Sequence, residues 1–256
     1  MPNSATSATV VIPARFGSSR FPGKPLVPIA GKPLIQHVYE RVRGCFGVER
    51  VIVATDDSRI ADVVQRFGGD CMLMTENYRT GTDRVAGVAR QTPGSVFVNL
   101  QGDEVILDQE MLTDLISQFV ASGTEIGTLK RALTSEAEIR NPSVVKVVTD
   151  RSGRALYFSR ATIPHIRDLG VDDSLVGPYF VHLGIYIYTR AALERFAALP
   201  TGMMEELEKL EQLRALEHGL SIRVWETRHR SLRIDTPEDV EEAARSLSGA
   251  CLADKA

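Results

Sequence analysis

A chain of 256 residues, 43% hydrophobic and 25% charged, can bury a substantial core without disulfides or metal staples and has ordinary globular composition. Its formal net charge of −3 argues against a general nucleic-acid binder, although cations can still gather in one cleft to make a local anion site. The three cysteines, Cys45, Cys71 and Cys251, are odd in number and far apart, so no disulfide framework is expected and a reducing cytoplasm fits best. Residues 1–9 are small and polar and read as a disordered tail, not a signal peptide. No apolar run is long enough for a transmembrane helix, so no membrane insertion is expected.

The first element is the apolar run Val10–Ile12, which breaks into a Gly/Ser/Pro loop carrying Arg15, Arg20 and Lys24. That pattern predicts a buried strand followed by a turn whose small residues and cations suit a polyphosphate. Leu34, Ile35, Val38 and Val42 recur at helical spacing after Pro33. A second buried strand is predicted over 50–57, a helix over 58–67 closed by Gly68 and Gly69, and a short strand over 71–74. Asp56 and Asp57 read as caps of the intervening helix. The β-α-β-α-β rhythm predicts a parallel sheet with right-handed crossovers, whose ligands sit beyond the carboxyl ends of the strands.

Residues 78–84 form a loop that opens a helix to about Arg90, and 95–100 a fourth buried strand ending in Gln101-Gly102-Asp103-Glu104. A carboxylate at such a strand tip reads either as a helix cap or as a Mg²⁺ ligand beside phosphate oxygens. A helix over 108–121 and a strand over 125–133 follow. Two antiparallel strands over 144–150 and 155–160 flank the turn 151–154. A polar loop is predicted over 168–178 and a strand over 180–188. Helices are predicted over 191–199 and, as one piece, over 204–218, where Glu205/Lys209 and Glu208/Gln212 read as solvated i,i+4 pairs. A strand over 221–226 and a helix to about Leu247 complete the chain. Thr236–Asp239 supply that helix's start, which leaves Asp235 for another role. The expected organisation is a single domain over 10–248 with an antiparallel insertion at about 125–190.

Eight stretches, in order, carry a resemblance: Val11–Leu26, Val53–Asp57, Thr80–Arg84, Asn99–Glu104, Ala155–Pro164, His182–Tyr186, Leu210–Arg214 and Asp235–Asp239. Together they resemble the 3-deoxy-manno-octulosonate (KDO) cytidylyltransferase, or CMP-KDO synthetase, family over residues 10–247. The resemblance implies an α/β, Rossmann-like nucleotidyltransferase fold of glycosyltransferase-A type, with a mainly parallel central sheet, and a homodimer. It implies transfer of CMP from CTP to KDO with Mg²⁺, supplying lipopolysaccharide biosynthesis. The segment 203–210 resembles the branch acting on the 8-amino analogue of KDO at least as well, so that acceptor stays open, as does another sugar acid.

By the same resemblance Arg15, Arg20 and Lys24 would bind the triphosphate, and Thr80, Gly81, Arg84 and Gln101 would surround the nucleotide. Asp103 and Asp235 would hold magnesium, and Arg160, His182, Glu211 and Gln212 would line the sugar-acid pocket. Arg15, Lys24, Asp103 and Asp235 are then the expected catalytic group. One departure stands out: the family usually has proline after Gln-Gly-Asp-Glu, where this chain has Val105.

Overall fold

Val10, Val11 and Ile12 are wholly shielded from solvent in the computed structural model, because β1 (Ala8–Ala14) runs between two parallel neighbours. The structure describes residues 7–17, 21–167, 179–229, 231–234 and 236–247. Arg20, Asp235 and the 168–178 loop lie outside them, as do residues 1–6 of the expected tail. The chain divides into two compact units, one of residues 1–117 with 229–256 and one of residues 118–228.

In the first unit β1 leads through a 3₁₀ turn (Lys24–Leu26) and a hairpin of β2 (Pro28–Ile29) and β3 (Lys32–Pro33) into α1 (Leu34–Arg43). Then come β4 (Val48–Thr55), α2 (Ser58–Arg66), β5 (Asp70–Leu73), α3 (Gly81–Gln91), β6 (Val96–Asn99) and β7 (Glu104–Leu107). The helix α4 (Gln109–Ser122) carries the chain out of this unit. Strands β6, β1, β4 and β5 pair in parallel in that order. The near-continuous apolar sequences of β6, β1 and the second half of β4 fit strands covered on both faces, whereas the edge strand β5 is partly exposed; α1 buries Leu34, Ile35, Val38, Tyr39 and Val42, the predicted stripe with Tyr39 added.

The second unit holds β8 (Ile126–Ala132), α5 (Glu136–Arg140), β9 (Lys146–Thr149), β10 (Ala155–Ser159) and β11 (Phe180–Thr189). Helices α6 (Arg190–Ala198), α7 (Met203–Glu208) and α8 (Gln212–Glu217) and strand β12 (Arg223–Glu226) follow. Strand β9 pairs antiparallel with β10 and β11, β11 antiparallel with β8, and β12 parallel with β8. These antiparallel pairs fall within 126–189, where the sequence predicts an antiparallel portion. The Trp225 ring lies 2.4 Å from where a Cβ on residue 127 would stand, so only glycine fits at Gly127.

The chain returns to the first unit at His229. Strand β13 (Ser231–Arg233) pairs antiparallel with β7, and α9 (Pro237–Leu247) closes the described chain. The sequence predicts neither β7 nor β13, because each is short and its partner lies more than a hundred residues away. The single helix expected over 204–218 is two helices. Lys209 sits in the left-handed region at φ 53°, and that reversal ends α7 and starts α8 in a new direction. Among the described residues no helix is long and apolar enough to cross a membrane.

Candidate active site

Beyond the carboxyl end of β1 the loop returns on itself. Gly23 takes φ 72°, its N–H donates to the Phe16 carbonyl at 2.9 Å, and a Cβ there would press on the Phe16 ring at 3.2 Å. This reversal delivers Lys24. Its ammonium donates to Asp103 Oδ2 and to the Ile234 carbonyl, both at 2.7 Å. The β7–β13 ribbon brings Arg233 to the same carboxylate, Nη2 at 3.4 Å, with its Nε 3.7 Å from Glu104 Oε1. Asp103 Oδ1 is buried and has no hydrogen-bond partner. Burial pushes the Asp103 carboxyl up, but Arg233 and Lys24 outweigh it and hold it below the usual carboxylate range. Asp235 follows Ile234 directly in the chain but is outside the described residues. Arg15 is exposed and donates to the Tyr78 carbonyl at 2.9 Å, so the structure ties it to the 78–84 loop.

Thr80 caps α3 by accepting from the Asp83 N–H at 3.1 Å. A Cβ on Gly81 would lie 3.8 Å from Gln101 Nε2 and 3.5 Å from Pro13, which places the loop against the Gln101 side chain. Gln101 donates to Asn99 at 3.3 Å and Asn99 to Thr82 at 3.0 Å, a polar chain that ties the strand tip to the helix start. Arg84 is almost wholly buried. One of its nitrogens pairs with Asp56 at 2.5 Å, while Nε and Nη1 are buried without partners. Thus Asp57 is the α2 cap, accepting from the Arg59 N–H, whereas Asp56 is the partner of Arg84.

In the second unit Arg160 is gripped along its length. Its N–H donates to Glu208 Oε2 at 2.9 Å, its Nε to the Glu208 carbonyl at 2.8 Å and its Nη1 to the Pro142 carbonyl at 3.1 Å. His182 Nε2 lies 3.1 Å from Thr128 Oγ1, and its ring stands between Phe158 and Tyr186. Glu211 occupies the N-cap position of α8 and Gln212 its buried first turn. Tyr186, which sequence reasoning did not single out, carries a buried hydroxyl with no partner at hydrogen-bonding geometry. Burial, then the neighbouring Tyr188 and Glu211, push it well above the ordinary tyrosine value. Its position four residues from His182 on the same strand, in the period-two series 182/184/186 that shares one face, was the available signal.

Two expectations for α7 are corrected. Glu205 is not paired with Lys209 on a solvated face. It makes a two-pronged buried salt bridge to Arg214, at 2.6 and 2.8 Å. Glu208 serves Ser159 and Arg160, not Gln212. Arg233 was also missed, since it reaches Asp103 only through long-range pairing. A further donor group of Asp108, Glu110 and His229 gathers at the start of α4, with Glu110 exposed and the other two half-buried, an arrangement common without a bound ion.

The cytidylyltransferase family pattern matches residues 9–222. A 3-deoxy-manno-octulosonate cytidylyltransferase from Syntrophotalea carbinolica is 52% identical over 248 residues, 95% of this chain and 99% of that one. An 8-amino-3,8-dideoxy-manno-octulosonate cytidylyltransferase from Shewanella piezotolerans is 48% identical over 239 residues, 91% of this chain and 96% of that one. Among solved structures, a CMP:2-keto-3-deoxy-manno-octonic acid synthetase complexed with CTP superposes at a TM-score of 0.89 with 40% identity, covering 96% of this chain and 100% of that one. With likeness of this extent in both sequence and fold, the chain belongs to the cytidylyltransferase family that includes the 3-deoxy-manno-octulosonate cytidylyltransferases.

Proposed function

We propose that this chain transfers CMP from CTP to KDO, releasing pyrophosphate and supplying an activated sugar acid for lipopolysaccharide. The observation that carries the reading is the end-to-end likeness to a synthetase complexed with CTP, over 96% of the chain. The anomeric hydroxyl of the sugar acid attacks the α-phosphorus in line with the departing pyrophosphate: one C–O–P link forms, the α–β phosphoanhydride breaks, and the hydroxyl proton leaves to solvent. The protein's work is positioning and charge stabilisation. Arg15, Arg20 and Lys24 hold the triphosphate, and Lys24 and Arg15 neutralise charge gathering on the pyrophosphate. Thr80, Gly81, Arg84 and Gln101 surround the nucleoside, with the unpartnered Arg84 donors as its recognition groups. Arg160 takes the acceptor carboxylate, beside His182, Glu211, Gln212 and Tyr186.

The buried, unpartnered Asp103 Oδ1 fits a hard divalent cation, and Asp103 with Asp235 would hold Mg²⁺. Bound there, the ion would supply charge neutralisation at the α-phosphate and ease deprotonation of the attacking hydroxyl. CTP supply places the reaction in the cytoplasm.

The 8-amino analogue is the second reading, favoured by the 48% identical relative that bears its name. A pyrophosphate-release assay with CTP, Mg²⁺ and a panel of KDO, 8-amino-KDO and a sialic acid tests both. Turnover is expected with KDO, and its absence with both octulosonates refutes the reading.

The chain also works as a homodimer. Met203 and Leu207, one helical turn apart on α7, are both more than half exposed. Large apolar side chains left together on a surface suit a second copy. Light scattering at micromolar concentration is expected to give twice the chain mass of 28.1 kDa, and Leu207→Glu is expected to shift it toward the monomer. A wild-type monomer contradicts this.

A further inference from the structure

The Lys146 side chain is fully buried, yet among the described residues its ammonium meets no carboxylate. Its three hydrogen bonds all go to main-chain carbonyls: Val144 at 2.6 Å, Arg160 at 2.8 Å and Asn141 at 2.9 Å. A buried cation whose direct hydrogen-bond partners are peptide carbonyls is costly, and burial pulls this lysine below its ordinary value, with the more distant Glu208 charge opposing. An apolar side chain would fill a strand position more cheaply, so the ammonium has work that packing does not explain.

The register shows where that work is done. Lys146 opens β9 and stands opposite Ser159 of β10, one residue before Arg160. The carbonyls of Asn141 and Val144 bracket the turn whose Pro142 carbonyl accepts from Arg160 Nη1. The third carbonyl is that of Arg160 itself. One ammonium therefore holds the Arg160 backbone and, through the turn, the acceptor that aims its guanidinium. Glu208 grips the same residue from the other side through the Arg160 N–H and Nε.

We propose that Lys146 is a positioning residue for the sugar-acid acceptor, an internal cation seated in a three-carbonyl cage that fixes the direction of the Arg160 guanidinium. This rests on the reading of Arg160 as the partner of the acceptor carboxylate.

The test is a double-mutant cycle in the pyrophosphate-release assay, with acceptor and CTP varied separately. Hydrogen bonds to a charged group are lost in Lys146→Ala, so acceptor KM is expected to rise about ten-fold or more while CTP KM stays within about two-fold. Added ammonium chloride, matched against sodium chloride, is expected to recover part of the acceptor KM by refilling the cage. In an Arg160→Ala background Lys146→Ala should raise acceptor KM no further. Independent, multiplying effects, or equal rises in the KM of both substrates, overturn the proposal. If Arg160→Ala leaves acceptor KM unchanged, the reading of Arg160 falls and the proposal with it. If Arg160→Ala raises it and Lys146→Ala does not, only the positioning role falls. Should Lys146→Ala not fold, Lys146→Gln retains two donors at the cage mouth. Its acceptor KM should rise with CTP KM unmoved, and an unchanged acceptor KM again overturns the role.

Discussion

Asp103→Asn is expected to lower CMP transfer by roughly three orders of magnitude while the chain stays folded. The substitution keeps the shape of the side chain and an oxygen for Lys24, but removes the charge that a divalent cation needs. The Lys24 ammonium keeps its second acceptor, the Ile234 carbonyl at 2.7 Å, so it is not stranded in the folded state. Loss of the charge-assisted hydrogen bonds should cost about 1.5–3 kcal/mol, read by urea denaturation. The pH dependence gives an independent readout. Arg233 and Lys24 outweigh burial and hold the folded Asp103 carboxyl below the usual range. Its contribution is then present above the unfolded value of about 3.9 and is lost as pH falls through the lower folded value. Wild type should therefore lose stability in acid more steeply than Asp103→Asn below about pH 4. Near-wild-type turnover in the variant refutes the metal role, and parallel acid profiles refute the charge cluster.

The first unit was the easier half to read from sequence. Its parallel strands are the apolar runs around Val10–Ile12, Val51–Ala54 and Val96–Val98, and hydrophobic periodicity reports such runs directly. What it could not report was the β7–β13 ribbon, because a pairing between Glu104 and Arg233 leaves no local pattern in either segment. Arg233 escaped notice for that reason, although it stands beside Asp103. Val105 belongs to the same ribbon. Its N–H donates to the Asp103 carbonyl at 2.9 Å, a bond that the proline usual in the family could not make.

The acceptor side was harder, since there the chemistry sits on charges that look solvated. Glu205, Glu208 and Lys209 have helical spacing and read as surface pairs. The left-handed Lys209 breaks the helix, turns Glu205 inward to Arg214 and frees Glu208 for Ser159 and Arg160. Burial of a charge is decided by tertiary partners, which spacing alone does not contain. His182, Glu211 and Gln212 were visible only through the family resemblance, and nothing in local pattern pointed to the three carbonyls around Lys146.

Arg214→Ala should be the most destabilising change in the second unit, costing about 3–5 kcal/mol by urea denaturation. Both partners of the pair are inaccessible, Arg214 at 1% and Glu205 at 8% exposure, and the guanidinium also lies over the Phe196 ring at 4.9 Å. Truncation leaves the Glu205 carboxylate buried with its principal counter-charge gone, which costs far more than the pair itself contributes. The double variant Glu205→Met, Arg214→Leu removes both charges and should recover most of the loss. It keeps a deficit of about 1 kcal/mol, because Glu205, third residue of α7, also reaches back to accept from the N–H of the N-cap Gly202 at 3.3 Å. The pair lies on either side of the Lys209 reversal, so it also sets the corner that carries Glu211 and Gln212. Folded Arg214→Ala enzyme should then show a raised KM for the sugar acid with CTP KM little changed. A loss below about 1 kcal/mol in the single variant, or a double variant no more stable than the single, would mean that solvent reaches this pair and that the corner is held by the apolar contacts of Leu210 and Leu213 instead.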